Sequence, residues 1–326
     1  MKSVYLLFLF VGVLVGCSSS GNKQSSSEAA IVNVVDSISA VAAFNADSAY
    51  AFITAQCDFG PRVPGTEAHR LTGDYLAGKL RGYGAVVTEQ RMELTTFDGT
   101  GIGARNIIGE FNPSASRRIL LLAHWDCRPW ADNDPKVENR KRPVPGANDG
   151  ASGVGVLLEV ARQMSLKQPS VGIDILFVDA EDWGDSGGGE ETWALGTQYW
   201  TKNPHKLGYR PMFGILLDMV GAEDARFARE YFSMQYARGI VDEVWKIAQE
   251  SGYGNYFSNE YGGAVTDDHV FVNRAGIPCI DIIDQNNSTG TGFFEEWHTI
   301  SDTPAVISKE SLDAVGQTLL NLIYSY

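Results

Sequence analysis

Four short, almost unbroken apolar runs constrain the architecture of this chain more than any other feature. They are Ile119 to Ala123, Ile173 to Val178, Phe213 to Leu217 and Ile277 to Ile283, each rich in Ile, Leu and Val. A strand with one wet face alternates apolar and polar residues, whereas a strand that is apolar throughout is covered on both faces. Asn106 to Gly109 reads as a further strand, with Val86 to Leu94 its neighbour or an edge. Helical patterns fill the intervals at Thr66 to Tyr83, Gly153 to Met164, Ile240 to Ala248 and Lys309 to Ile323. The Ala/Val-rich stretch from Ala30 to Tyr50 reads as an opening helix packed across the domain. Such alternation predicts an α/β fold with a mixed, mostly parallel central β-sheet flanked by helices.

The amino terminus carries a different signal. Lys2 precedes an apolar run from Val4 to Val15, then Gly16, Cys17 and a Ser-rich stretch. The run is shorter than the roughly 20 residues that span a bilayer and has the order of a secretory signal. Leu14-Val15-Gly16-Cys17 resembles the lipobox of bacterial lipoproteins, which implies that Cys17 becomes the acylated first residue of the mature chain. The expected organisation is a lipoprotein signal peptide at 1–16, a flexible tether at 17–29 and a single catalytic domain at 30–326. Its expected place is extracytoplasmic, on the periplasmic side, lipid-anchored to a bacterial membrane. A formal charge of -14 excludes the basic footprint that nucleic acid demands. With Cys17 assigned to lipid, Cys57, Cys127 and Cys279 remain and no CxxC pair exists. That excludes a disulfide scaffold and a thiolate zinc site.

Polar residues cluster where the apolar runs end. His124 and Asp126 follow the first run, Asp179, Glu181 and Asp182 follow the second, and Asp218 follows the third. Trp297-His298 lies in the segment after the last run, and Asp149 sits in Pro145 to Gly150 just before a helix. Ligand sites in open α/β sheets lie at the carboxyl ends of the strands. Only five histidines are present (His69, His124, His205, His269, His298), so the pattern suits a carboxylate-rich zinc site with one or two imidazoles. The adjacent pair Glu181-Asp182 can divide its work in a turn, one carboxylate on a metal and one beside the reacting group. Singly, each residue also has a bland role: Asp149, Asp218 or Asp267-Asp268 as caps, His298 and Trp297 as packed core. Their convergence on one sheet edge is what points to metal-assisted chemistry.

Longer motifs carry a family resemblance. They are His124-Trp125-Asp126, Gly146 to Gly153, Asp179 to Asp182, Leu217 to Gly221 and Trp297-His298-Thr299, with Phe59 to Gly65, Ala104-Arg105-Asn106 and Asp267-Asp268-His269. Together they resemble the zinc aminopeptidase superfamily, and within it the glutaminyl cyclases of animals and their bacterial relatives. The resemblance spans roughly residue 50 to the C-terminus. It implies a single-domain zinc aminopeptidase-like fold and one Zn2+ held by Asp149, Asp182 and His298. It also implies Glu181 as the acid/base, Asp218 and Asp267 as a hydrogen-bonded acidic network beside it, and Trp193 and Trp297 as aromatic walls of a glutamine pocket. The substrates implied are peptides or proteins with an N-terminal glutamine, acted on by a monomer. Two departures from the animal pattern stand out: Asp182 replaces a glutamate, and the segments 125–142 and 184–191 have no counterpart.

Two other readings use the same residues. A two-zinc aminopeptidase would place His124 and Asp218 on a second metal, with Asp149 bridging and Glu181 activating water. An inactive peptide-binding lipoprotein would have no use for an intact ligand set.

Overall fold

The computed structural model describes residues 42–286 and 288–326, all within one unit spanning Val41–Tyr326. The expectations for the signal peptide, Cys17 and the tether fall on residues outside that set. In chain order the elements begin with α1 (Ala46–Asp58), α2 (Glu67–Gly82), β1 (Val86–Thr95), β2 (Gly101–Phe111) and β3 (Arg118–His124). They continue with α3 (Ala151–Leu166), β4 (Gly172–Val178), α4 (Leu195–Lys202), β5 (Phe213–Asp218), β6 (Phe227–Arg229), α5 (Tyr231–Tyr236) and α6 (Arg238–Glu250). Last come β7 (Phe257–Tyr261), α7 (Asp268–Arg274), β8 (Cys279–Ile283) and α8 (Lys309–Ser325).

The strands form a six-stranded sheet in the order β1-β2-β4-β3-β5-β8, with β6 and β7 a separate pair. β1, β2 and β4 pair antiparallel, while β4–β3, β3–β5 and β5–β8 pair parallel. The apolar runs become the parallel strands, and every residue of β3, β4, β5 and β8 is buried. Because these four strands run the same way, their carboxyl ends share one edge of the sheet. That is the edge to which the sequence assigns its polar residues.

Helix α3 delivers Asp149 to that edge, and two glycines let it do so. A Cβ at Gly153 would lie 2.3 Å from the Leu217 carbonyl oxygen, and one at Gly155 would lie 2.6 Å from Ile53 Cγ1. The helix therefore beds directly onto β5 on one side and α1 on the other. Of the opening helix expected at Ala30 to Tyr50, residues 30–41 lie outside the described set. Over the rest, residues 42–45 are not helical, and the helix begins at Ala46, where the Asn45 side chain caps it by accepting from Ser48 N. Among the described residues no helix is long and apolar enough to cross a membrane, and Cys57, Cys127 and Cys279 are unpaired thiols.

Candidate metal centre and active site

Two buried aspartates fix the backbone that presents the polar residues. Asp126, just past β3, accepts hydrogen bonds from the successive amides of Glu181 (3.1 Å) and Asp182 (3.2 Å). Asp302 does the same for Asn148 (2.7 Å) and Asp149 (3.1 Å). Each carboxylate clasps two consecutive N–H groups, so the side chains beyond them are aimed by main chain rather than by their own rotamers. Ala180 and His298 both take left-handed backbone, with φ of 54° and 56°. Non-glycine residues adopt that conformation at a cost, and such strain concentrates at functional sites.

With the backbone held, Asp149, Asp182 and His298 come together, one ligand atom from each within 4.8 Å of the others. His298 Nε2 stands 3.3 Å from Asp182 Oδ1 and 3.7 Å from Asp149 Oδ2. Two ligands about 2.0–2.1 Å from a tetrahedral zinc lie about 3.3–3.4 Å apart, so the spacing suits a shared ion. Asp182 Oδ2 is buried and has no hydrogen-bond partner, an expensive condition for a carboxylate oxygen unless a cation meets it. On the far side of the imidazole, His298 Nδ1 lies 3.2 Å from Asp132 Oδ1. The contact is an ion pair rather than a hydrogen bond, since Nδ1 has no partner in hydrogen-bond geometry, and a carboxylate in that place orients a ligating histidine through its charge. Burial works to lower the His298 pKa, but Asp182 and Asp132 outweigh it and raise it to about 9 in the metal-free protein. The same negative field favours a dication. One imidazole, two carboxylates and an orphaned oxygen therefore fit zinc.

His124, Asp149 and Asp218 form a neighbouring cluster of three. Here His124 Nε2 is 3.1 Å from Asp149 Oδ1 and 3.0 Å from Asp218 Oδ1. Those are hydrogen-bond lengths, so in the metal-free protein the imidazole bridges the two carboxylates. Asp126, Asp149 and Asp218 overcome burial and hold the His124 pKa well above its ordinary value, as expected for an imidazolium among carboxylates.

A cavity of about 310 Å³ opens beside the three candidate ligands. Glu181, Asp218 and Asp267 line it on one side, and Trp193, Trp297 and Phe293 supply its aromatic surface. Among the described residues the Glu181 carboxylate makes no hydrogen bond, only its amide does, and none joins Glu181, Asp218 and Asp267 directly. They act on one another through space. Burial first, then the charge of Asp267, pushes the Glu181 pKa well above the usual carboxylate range. Burial raises Asp267 to about 7, with Asp218 adding to it, and raises Asp218 to about 6 against the pull of His124. Asp267 also caps α7 by accepting from Asp268 N at 2.5 Å, so the bland and the functional readings of that residue coexist. The Trp297 ring stacks on His298 with centroids 3.8 Å apart, and Trp193 lies parallel to the same imidazole at 6.5 Å.

Asp149, Glu181, Asp182, Trp193, Asp218, Asp267, Trp297 and His298 therefore line one cavity, with His124 behind Asp149 and Asp218, whereas Asp179 pairs with His69 and His269 with Glu230 away from it. Sequence reasoning missed Asp132 and Asp302 altogether, and saw Asp126 without its clasp. The clasps link segments 55 to 154 residues apart in the chain, and Asp132 and Asp302 sit in polar stretches, Asp132-Asn133-Asp134 and Ser301-Asp302-Thr303, where no local signal marks them.

Residues 106–323 match the model of peptidase family M28. A glutaminyl cyclase of Bacteroides thetaiotaomicron, solved bound to N-acetylhistamine, matches with a TM-score of 0.86 at 52% identity, over 88% of this chain and 100% of that one. A Zn-dependent exopeptidase of Parabacteroides distasonis matches with a TM-score of 0.86 at 51% identity and the same coverage of both chains. Among sequences, the glutaminyl-peptide cyclotransferase of Bos taurus is 27% identical over 268 residues, covering 72% of this chain and 71% of that protein. With the family match extending over well more than half of its length and the fold shared at this identity, the chain belongs to peptidase family M28.

Proposed function

We propose that this protein is a glutaminyl-peptide cyclotransferase, closing the N-terminal glutamine of peptides or proteins into pyroglutamate with release of ammonia. The observation that carries this reading is the small cavity in which one unbonded carboxylate, Glu181, faces aromatic walls beside a three-residue zinc site. We assign one zinc per chain to Asp149, Asp182 and His298. Bound there, it supplies a Lewis acid that polarises the γ-carbonyl of the substrate glutamine.

The protein's own groups do the rest. Trp193 and Trp297 bracket the glutamine side chain and keep bulk water from its carboxamide, which would otherwise be hydrolysed. The bracket also holds the α-amine over the carboxamide carbon; both belong to one residue, so orientation supplies much of the rate. Glu181 takes one proton from the amine as the new N–C bond forms. It gives that proton to the amide nitrogen as the old C–N bond breaks, so ammonia leaves and the carboxylate is restored. Its raised pKa, with Asp267 nearby, suits a group that must hold a proton between those two events.

The likeness to the glutaminyl cyclase of Bacteroides thetaiotaomicron and the glutaminyl-peptide cyclotransferase of Bos taurus supports the cyclase over a two-zinc aminopeptidase. Incubating the domain with a peptide bearing N-terminal glutamine and following mass separates the two. Loss of one ammonia from an uncut chain is the expected result; free glutamine with a shortened peptide would make the protein an aminopeptidase.

We further assign the mature protein to a lipid anchor at Cys17 on the extracytoplasmic face of a bacterial membrane, acting as a monomer. The support for the anchor is the basic start, the apolar run and the Gly16-Cys17 junction. Cys17→Ser is expected to release the protein from the membrane pellet to the soluble fraction. An unchanged distribution would mean that the anchor is elsewhere.

A further inference from the structure

We infer that Arg128 is a positioning residue that ties the proposed zinc site to the substrate wall, so that the placement of His298 and of Trp193 depends on one buried guanidinium. The inference rests on the cyclase reading for its consequences in turnover, but its geometry stands independently. Arg128 lies between β3 and α3, and it is 1% exposed.

Its fork grips two of the three carboxylates near His298, Asp132 and Asp182. Nε and Nη2 donate to Asp132 Oδ1 and Oδ2 at 2.9 and 2.7 Å, a bidentate pair, and Asp132 Oδ1 is the atom facing His298 Nδ1. Nη1 donates to Asp182 Oδ1 at 3.3 Å, leaving Oδ2 as the oxygen without a partner. Nη1 also reaches the carbonyls of Asp182 (3.2 Å) and Gly184 (3.3 Å), and Nη2 reaches Ser186 Oγ at 3.1 Å. Those bonds hold down the start of the 184–191 segment. The faces of the guanidinium are used too: its carbon stands 5.0 Å from the ring centres of both Trp130 and Trp193. Such cation–π contacts are favourable when desolvated. Trp193 has little freedom besides, since a Cβ at Gly184 would come within 2.0 Å of its ring.

An opposing effect must be weighed. A cation close to a zinc site repels the ion, so deleting Arg128 would tighten zinc if charge alone mattered. Asp132 cancels much of that charge in the bidentate pair, whereas loss of the fork frees both Asp132 and the Asp182 carboxylate. A planar five-donor group has no substitute in lysine. Loss of a group supporting a ligating histidine typically costs about 10–100-fold in metal affinity. Positioning should therefore win.

Arg128→Met and Arg128→Lys test this, with Asp132→Asn as the comparison and the parent protein assayed in parallel. Zinc affinity is read by chelator competition, and Trp193 by the fluorine NMR signal of 5-fluorotryptophan-labelled protein, assigned with Trp193→Phe. In Arg128→Met zinc affinity is expected to fall about 10–100-fold and the Trp193 signal to shift or broaden. In Asp132→Asn affinity should fall while the Trp193 signal holds. Arg128→Lys, which keeps a charge in the same packing space, should still displace Trp193, and it serves if the methionine variant does not fold. Zinc binding as tight as in the parent, or tighter, would overturn the inference, as would an unmoved Trp193. Failure of the parent itself to cyclise glutamine would instead defeat the functional reading and leave these two readouts intact.

Discussion

Glu181→Gln is expected to lower kcat/KM by about 10²–10⁴-fold while leaving zinc bound, because the substitution removes only a proton carrier. Glutamine has the same shape as glutamate and cannot take a proton from the amine or give one to ammonia. The placement of this residue does not depend on its carboxylate. Its amide is clasped by Asp126 at 3.1 Å, and that bond survives the change, as does the clasp on Asp182. Deletion of a negative charge also relieves crowding with Asp267, so the variant should fold at least as readily as the parent. Some turnover should remain, since the walls still orient the amine over the carboxamide. Steady-state kinetics on a glutamine peptide, with zinc per chain measured on the same sample, gives the answer. A folded variant that has lost its zinc would make Glu181 a ligand; one that turns over normally would place the proton transfer elsewhere.

The sequence made the sheet legible and the support of the site illegible, for a physical reason. Burial on two faces writes itself into consecutive residues, so the runs ending at Ala123, Val178, Leu217 and Ile283 could be seen one at a time. Helices α2, α3, α6 and α8 carry an apolar stripe over three or more turns and were legible for the same reason. Two short helices were not. α4 spans 8 residues and starts after Ala194 at φ 53° with no capping side chain, and α5 spans only 6 residues. Such lengths hold too few turns for a period to emerge, and tertiary packing rather than propensity forms them. The ligand candidates were legible as a family pattern and as polar residues at strand ends. What aims them was not. Asp302 acts on Asp149 across 153 residues, and Arg128 acts on Asp182 across 54. A contact of that kind leaves no periodic trace, only an acidic or basic residue that ends up buried.

Asp149→Ala is expected to take zinc from one per chain to none and turnover to the assay background, and it is the more searching test of the metal site. Asp149 belongs both to the group with Asp182 and His298 and to the group with His124 and Asp218. Its loss therefore strikes a metal bound in either place, whichever chemistry the enzyme performs. The turn that carries it should survive. Asp302 still holds its amide at 3.1 Å, and Gly150, at φ 96° with no room for a Cβ beside the Asp126 carbonyl, still shapes the start of α3. Two protein ligands remain, Asp182 and His298, too few to hold zinc against dialysis when its sites normally use three or four. The thermal signature separates lost metal from lost fold. A ligand that binds the native state raises the melting temperature with its concentration, so added zinc should stabilise the parent and leave the variant unmoved. In the metal-free state the parent should stay the more stable, by a smaller margin. Asp149 repels Asp182, Asp218 and Asp302 and, after burial, helps raise their pKa values. Burial works to raise its own, but His124 at 3.1 Å, with His298 and Arg128, outweighs burial and holds the Asp149 pKa below its ordinary value, so the folded protein favours that carboxylate. Full zinc occupancy in Asp149→Ala would put the ion off Asp149 altogether and overturn both ligand sets at once.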